Sequence, residues 1–129
     1  MRNRFAPPGP DAILDAGERM DLRMNYSLAF YAEVARRAAA EAEGVVGTAR
    51  DPFLGLIGRI SRGYNRGGVR VYQEGEGIFL EVDIVAAYGH DLRRVLRNAQ
   101  HLIARRIEEM SGEPPARVTV AVKGVADRE

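Results

Sequence analysis

The stretch Gly77–Gly112, GIFLEVDIVAAYGHDLRRVLRNAQHLIARRIEEMSG, decides the fold, because two periodicities meet inside it. Ile78, Leu80, Val82, Ile84 and Ala86 alternate with Phe79, Glu81, Asp83 and Val85, the period of a strand with one buried face. Beyond Tyr88-Gly89 the spacing changes. Leu92, Val95, Leu96, Ala99, Ile103, Ile107 and Met110 recur three or four apart, as on one side of an amphipathic helix. A long strand is therefore followed by a long helix. Asp91 can cap that helix at its start, Gly112 can end it in a left-handed conformation, and Pro114-Pro115 forbids its continuation.

Downstream, Val118, Val120 and Val122 alternate with polar residues in a last strand over Arg117–Lys123. Immediately upstream, Val69–Glu74 is a strand, and the glycine-rich turn Gly75-Glu76-Gly77 joins it to the long strand as an antiparallel hairpin. Further back, Leu22, Met24 and Tyr26 alternate in a short first strand over about residues 20–26. Ser27 can then cap a helix running to about Glu43, with Leu28, Tyr31, Val34, Ala35, Ala38 and Ala42 as its inner stripe and Gly44 as its terminator. Val45 to Gly68 reads as a variable insert, and SRGYNRGG at its end as a linker.

The element order is β-α-β-β-α-β. Two long helices on one face of a four-stranded, mostly antiparallel sheet is the simplest packing that buries every apolar stripe. This is an α+β fold, ferredoxin-like with a KH-like arrangement as the alternative. Residues 1–19, with Pro7-Pro8-Gly9-Pro10, read as a flexible N-terminal tail, 20–125 as the domain, and 126–129 as a short C-terminal tail.

Composition sets outer bounds on function. A formal charge of +1 gives no global pull toward nucleic acid or membrane. With no cysteine, disulfides, thiolate metal sites and cysteine nucleophiles are excluded. No apolar run approaches the ~20 residues needed to cross a bilayer, and the N-terminus has no continuous apolar segment of the secretory type. The expectation is a cytoplasmic protein.

No convergent catalytic set is visible. His90 and His101 are separated by about 16 Å if both lie along a helix, too far to share a metal ion. Glu81 and Asp83 fall on one face of a strand, roughly 7 Å apart, and could serve acid–base chemistry or hold a hard cation. Cross-strand ion pairing with Arg70, Arg117 or Lys123 is the simpler reading. The glycines form no phosphate-binding loop. No catalytic, cofactor-binding or metal-ligating residue is therefore expected, and no cofactor.

The feature that invites an interaction is DPFLGLIGRISRG. Phe53, Leu54 and Ile57 stand against Arg59, Arg62 and Arg66, and Asp51 with Pro52 can open a helical turn. The segment reads either as a short helix whose apolar side closes one end of the core, or as a basic amphipathic turn suited to an acidic partner or an anionic membrane surface. The stretch Arg50–Arg70 is also the candidate contact for the alternative reading, a nucleic-acid-binding module, with Arg93, Arg94 and Arg97 added. Exposed carboxylates on the central strand, where RNA-binding sheets of this topology carry aromatics, make nucleic acid the less suited partner.

Several segments, in order and spacing, resemble a known family: AAAEAEGVVG at 38–47, GVRV at 68–71, LEVDIVAAYG at 80–89, VLRNAQ at 95–100 and EEMSGEPPARVTVAVKGV at 108–125. Together they resemble the alkaline shock protein family of bacterial envelope stress response proteins, over about residues 21–125. Where that family carries a small polar residue and then an isoleucine-proline pair after the Tyr-Gly, this chain has His90, Asp91, Leu92 and Arg93. The resemblance implies a non-enzymatic, cytoplasmic protein of cell-envelope stress or homeostasis. It implies a protein that is in some cases held near the membrane through a protein partner at the inner membrane face, while the outer sheet face is left available for self-association into a homo-oligomer. It carries over no catalytic or ligand residue.

Overall fold

The computed structural model describes residues 26–49 and 63–127. The elements are α1 (Leu28–Glu41), β1 (Val45–Thr48), β2 (Tyr64–Arg66), β3 (Val69–Glu74), β4 (Gly77–Ala87), α2 (Leu92–Ser111) and β5 (Arg117–Ala126). The fold is α+β, with two helices and a mostly antiparallel sheet. The expected first strand lies outside the described residues except for Tyr26, which stacks on Phe30 at 4.7 Å.

β4 is the centre of the sheet. One of its edges pairs with β5, in parallel, from Phe79 to Ala87. The other edge is shared end to end by two antiparallel strands: β3 against Gly77–Val82 and β1 against Ile84–Ala86. β2 extends the sheet beyond β3. Because β4 and β5 pair directly and α2 connects them, they form an unsplit βαβ unit. A split arrangement would put a further strand between them. An extra residue, Lys123, shifts the β5 register between Val122 and Gly124 and lets the strand continue to Ala126, past the expected end at Lys123.

The even-numbered residues of β4 face both helices. Ile78, Leu80, Val82, Ile84 and Ala86 join Val95, Ala99, Ile103 and Ile107 of α2 and Ala32, Val34, Ala35, Ala38 and Ala39 of α1 in one core. The alanines of α1 let its axis approach the sheet closely, and two of them, Ala32 and Ala39, fall outside the stripe read from the sequence. Leu92 and Met110, read there as inner residues of α2, are 39% and 58% exposed at the two ends of the helix.

The caps follow the local chemistry. Ser27 Oγ accepts from Phe30 N–H at 3.1 Å, and Asp91 Oδ1 from Arg93 N–H at 3.1 Å. Gly112 closes α2 at φ 93°. α1 stops at Glu41, earlier than expected, because its C-cap Ala42 is already extended. Gly44, at φ 87°, then turns the chain into β1 beneath Val95 and His90. The insert read between α1 and β3 is thus strand at both ends. The "linker" SRGYNRGG contains β2 and the two-residue turn Gly67-Gly68, both at positive φ, as a tight hairpin requires.

On the outer surface of α1, Glu33 accepts hydrogen bonds from both Arg36 and Arg37, each at 2.6 Å. The bonds from the Arg36 and Arg37 guanidinium groups hold its carboxyl down at about 2. A depressed carboxyl pKa stabilises the fold above the unfolded value, and that contribution is lost as pH falls from about 4.5 to about 2. Exposure and salt screening keep it small. Acid titration followed by circular dichroism should show Glu33→Gln flattening this part of the stability profile, and 0.5 M salt should do the same. An unchanged acid limb would refute the assignment.

Candidate interaction surfaces

The residues expected to form the basic amphipathic turn, Phe53, Leu54, Ile57, Arg59 and Arg62, lie outside the described residues. Arg66 is described. It is the exposed last residue of β2, at the rim of a cleft of about 350 Å³ shared with Ala29, Ala32, Glu33 and Arg36 of α1.

Glu81 and Asp83 are engaged by Arg70. In the antiparallel register Arg70 stands opposite Glu81, one residue pair from Val69–Val82. Its Nε donates to Glu81 Oε1 at 2.9 Å, while Nη1 and Nη2 donate to Asp83 Oδ2 and Oδ1 at 3.0 and 3.3 Å. The guanidinium fork spans both carboxylates, a geometry lysine could not supply. The hydrogen bond to Asp83 raises the Arg70 pKa further above its already high range, against the opposing effect of burial. Of the three cross-strand partners the sequence offers, Arg70, Arg117 and Lys123, the structure selects Arg70, and it places the pair in an environment the sequence did not indicate. Asp83, expected on a solvated face, is 2% exposed, the buried charge among the described residues.

Asp83 is also a backbone junction. Its N–H donates to Gly68 O and its C=O accepts from Ala49 N–H, both at 2.8 Å. At this residue the start of β3 and the end of β1 meet along one edge of β4. Three of the four carboxylate oxygens are thus engaged by one arginine. Among the described residues no group of three or more histidine, aspartate or glutamate side chains could hold a metal ion. His90 and His101 are both exposed.

Among the described residues three surfaces remain open to partners. The first is the outer edge of β5, to which no described strand pairs. Gln100 Nε2 donates to the Val118 carbonyl at 2.7 Å near the start of β5. The second is a groove of about 400 Å³ between the helices, floored by Phe30, Val34, Ala38 and Met110 and crossed by the Arg106–Glu41 ion pair at 2.7 Å. The third is the outer face of α2, with exposed Arg93, Arg94, Arg97, His101 and Arg105. The sequence reading named three of these arginines only as auxiliaries. A count of charge along 92–107, which holds five arginines and no acid, would have singled the segment out. No described helix is long and apolar enough to cross a membrane.

These features define a small α+β domain that presents edges and helix faces around a satisfied ion cluster. Comparison with known proteins agrees and is more specific. Residues 19–126 match the alkaline shock protein family, which is described by a cell envelope-related function, and the chain belongs to that family. It is 31% identical over 96 residues to the uncharacterized protein YloU of Bacillus subtilis (strain 168), covering 73% of this chain and 80% of that one. Among solved structures it is similar to a manganese form of the MamM CTD, with a TM-score of 0.51 and 12% identity over 75% of this chain and 98% of that one. A zinc form of the same domain gives a TM-score of 0.51 and 13% identity over 79% of this chain and 87% of that one. At that identity the likeness is one of fold alone.

Proposed function

We propose that this protein is a structural, non-enzymatic component of cell-envelope homeostasis that acts by self-association and by contacts with another protein at the inner membrane face. The observation that carries this reading is the open edge of β5. A ten-residue strand whose outer edge pairs with no described strand is a template for a second copy, since unpaired backbone donors and acceptors gain partners there. The family membership supports the connection with the envelope. A nucleic-acid-binding module using Arg50–Arg70 is the competing reading. The commitment of Arg70 to Glu81 and Asp83 counts against it, because a guanidinium held by two carboxylates has little left to offer a phosphate.

Light scattering over a concentration series, with and without vesicles containing anionic lipid, tests the proposal. Mass should rise above that of the monomer with concentration, and lysines at both Thr119 and Ala121 should suppress the rise by setting like charges opposite each other along the paired edges. A strict monomer at every concentration would overturn self-association. Arg59→Glu combined with Arg62→Glu should reduce sedimentation with native membranes; unchanged sedimentation would show that the basic turn makes no membrane contact.

A further inference from the structure

α2 carries its charges against its own dipole. Arg93, Arg94 and Arg97 occupy the first two turns, and Glu108 and Glu109 the last, with no acid in the first turn and no base in the last turn. Aligned peptide dipoles make the N-terminal end of a helix positive, so these arginines and glutamates oppose the dipole, with the Asp91 cap as the one favourable charge at the start. The more C-terminal arginines have partners: Arg105 pairs with Glu109, and Arg106 with Glu41 and Glu109. Among the described residues Arg93, Arg94 and Arg97 have none. No acid interrupts the helix between Asp91 and Glu108, so Arg94 to Arg105 is an unbroken basic stripe about 16 Å long. Four residues before the helix stands a large side chain that folding has not buried, Tyr88, at 76% exposure. Neither stability nor packing accounts for this surface.

We propose that the outer face of α2, Arg93 to Arg105, together with Tyr88, docks an acidic protein segment that carries at least one apolar side chain. Unpaired arginines recognise the carboxylates, and exposed Tyr88 receives the apolar group; tyrosine and arginine are the side chains that dominate such contacts. Two exposed carboxylates select a protein segment over a flat anionic bilayer. Asp91 adjoins Leu92, and Asp127 follows Ala126, whose carbonyl binds Tyr88 N–H at 2.9 Å. A bilayer would press lipid phosphates onto both, whereas a narrow segment can follow the stripe and avoid them. The inference rests on the reading of the protein as a module working through protein contacts, and identifies one of its surfaces.

The test is an amide-resonance titration of the full chain at low salt with three separate probes. These are a sixteen-residue glutamate-rich peptide bearing two leucines, vesicles containing phosphatidylglycerol, and a single-stranded oligonucleotide. The peptide should shift resonances of residues 88–105. Arg94→Glu with Arg97→Glu should weaken its binding by about tenfold or more, while Arg117→Glu, exposed on β5, leaves it unchanged. Both α2 positions are exposed, and circular dichroism checks that the variant folds; Arg94→Gln with Arg97→Gln gives the same readout without reversing charge. Absence of peptide shifts, shifts confined to other elements, or tighter binding of vesicles or oligonucleotide through the same arginines would overturn the proposal. The light-scattering mass reports self-association independently, so either result can fail without the other.

Discussion

Replacing Arg70 by methionine should cost about 3–5 kcal/mol of folding stability, because it leaves the Asp83 carboxylate buried with no cationic partner. Removing both charges is a different experiment. Arg70→Met with Asp83→Leu trades an ion pair for apolar contacts and should recover much of the loss, since a buried pair is offset largely by the desolvation of its members. Glu81 keeps access to water and should matter less: Glu81→Gln removes one bond to Arg70 at a site 41% exposed, worth about 1 kcal/mol or less. Urea unfolding of the four proteins, read as a double-mutant cycle with Arg70 and Asp83 at its corners, measures the coupling. A single variant as stable as the wild type would show that Asp83 does not depend on Arg70.

The second large effect is expected at Gly68, and its neighbour supplies the control. Gly67 and Gly68 both have positive φ, 61° and 85°, so alanine at either bears the left-handed strain of about 1–2 kcal/mol. Nothing lies within 4 Å of a Cβ added to Gly67. A Cβ on Gly68 would overlap the carbonyl oxygen of Ala49, which is backbone and cannot swing aside. Relief would require separating β1 from the start of β3, at the cost of the bonds that Asp83 makes to Gly68 and Ala49. Gly68→Ala should therefore destabilise by about 4 kcal/mol or more, in the range reserved for a named steric fault, and Gly67→Ala by much less. Equal midpoints in thermal unfolding would mean that the junction of β1 and β3 is not close-packed.

These two sites show where sequence reading reached and where it stopped. A cross-strand basic partner for Glu81 and Asp83 was legible, with Arg70 one of three candidates, because a period of two puts both carboxylates on one face; the register of β3 on β4 then selects Arg70. The burial of Asp83 was not legible. It depends on β1 arriving at the same edge of β4 as β3, and β1 is four residues with a bulge, too short for alternation to announce. β2 is shorter still, and its glycine-rich surroundings read equally well as linker. Among candidate contacts, Arg66 and the α2 arginines can be placed on the fold, while Phe53 to Arg62 lie outside the described residues.

By itself the sequence determined the two helices with their caps, the hairpin of β3 and β4, the strand character of β5, and membership of a family through the order of its segments. Each of these is a local matter: side-chain periodicity, a capping oxygen and a glycine at positive φ act within a few residues. Tertiary structure alone decided that β4 is central, that β5 joins it directly and in parallel, that β1 and β3 divide its other edge, and that one aspartate becomes buried where they meet. Those outcomes depend on which strands compete for the same backbone donors and acceptors. That competition is settled by how the core closes over the whole chain, and no single segment carries its record.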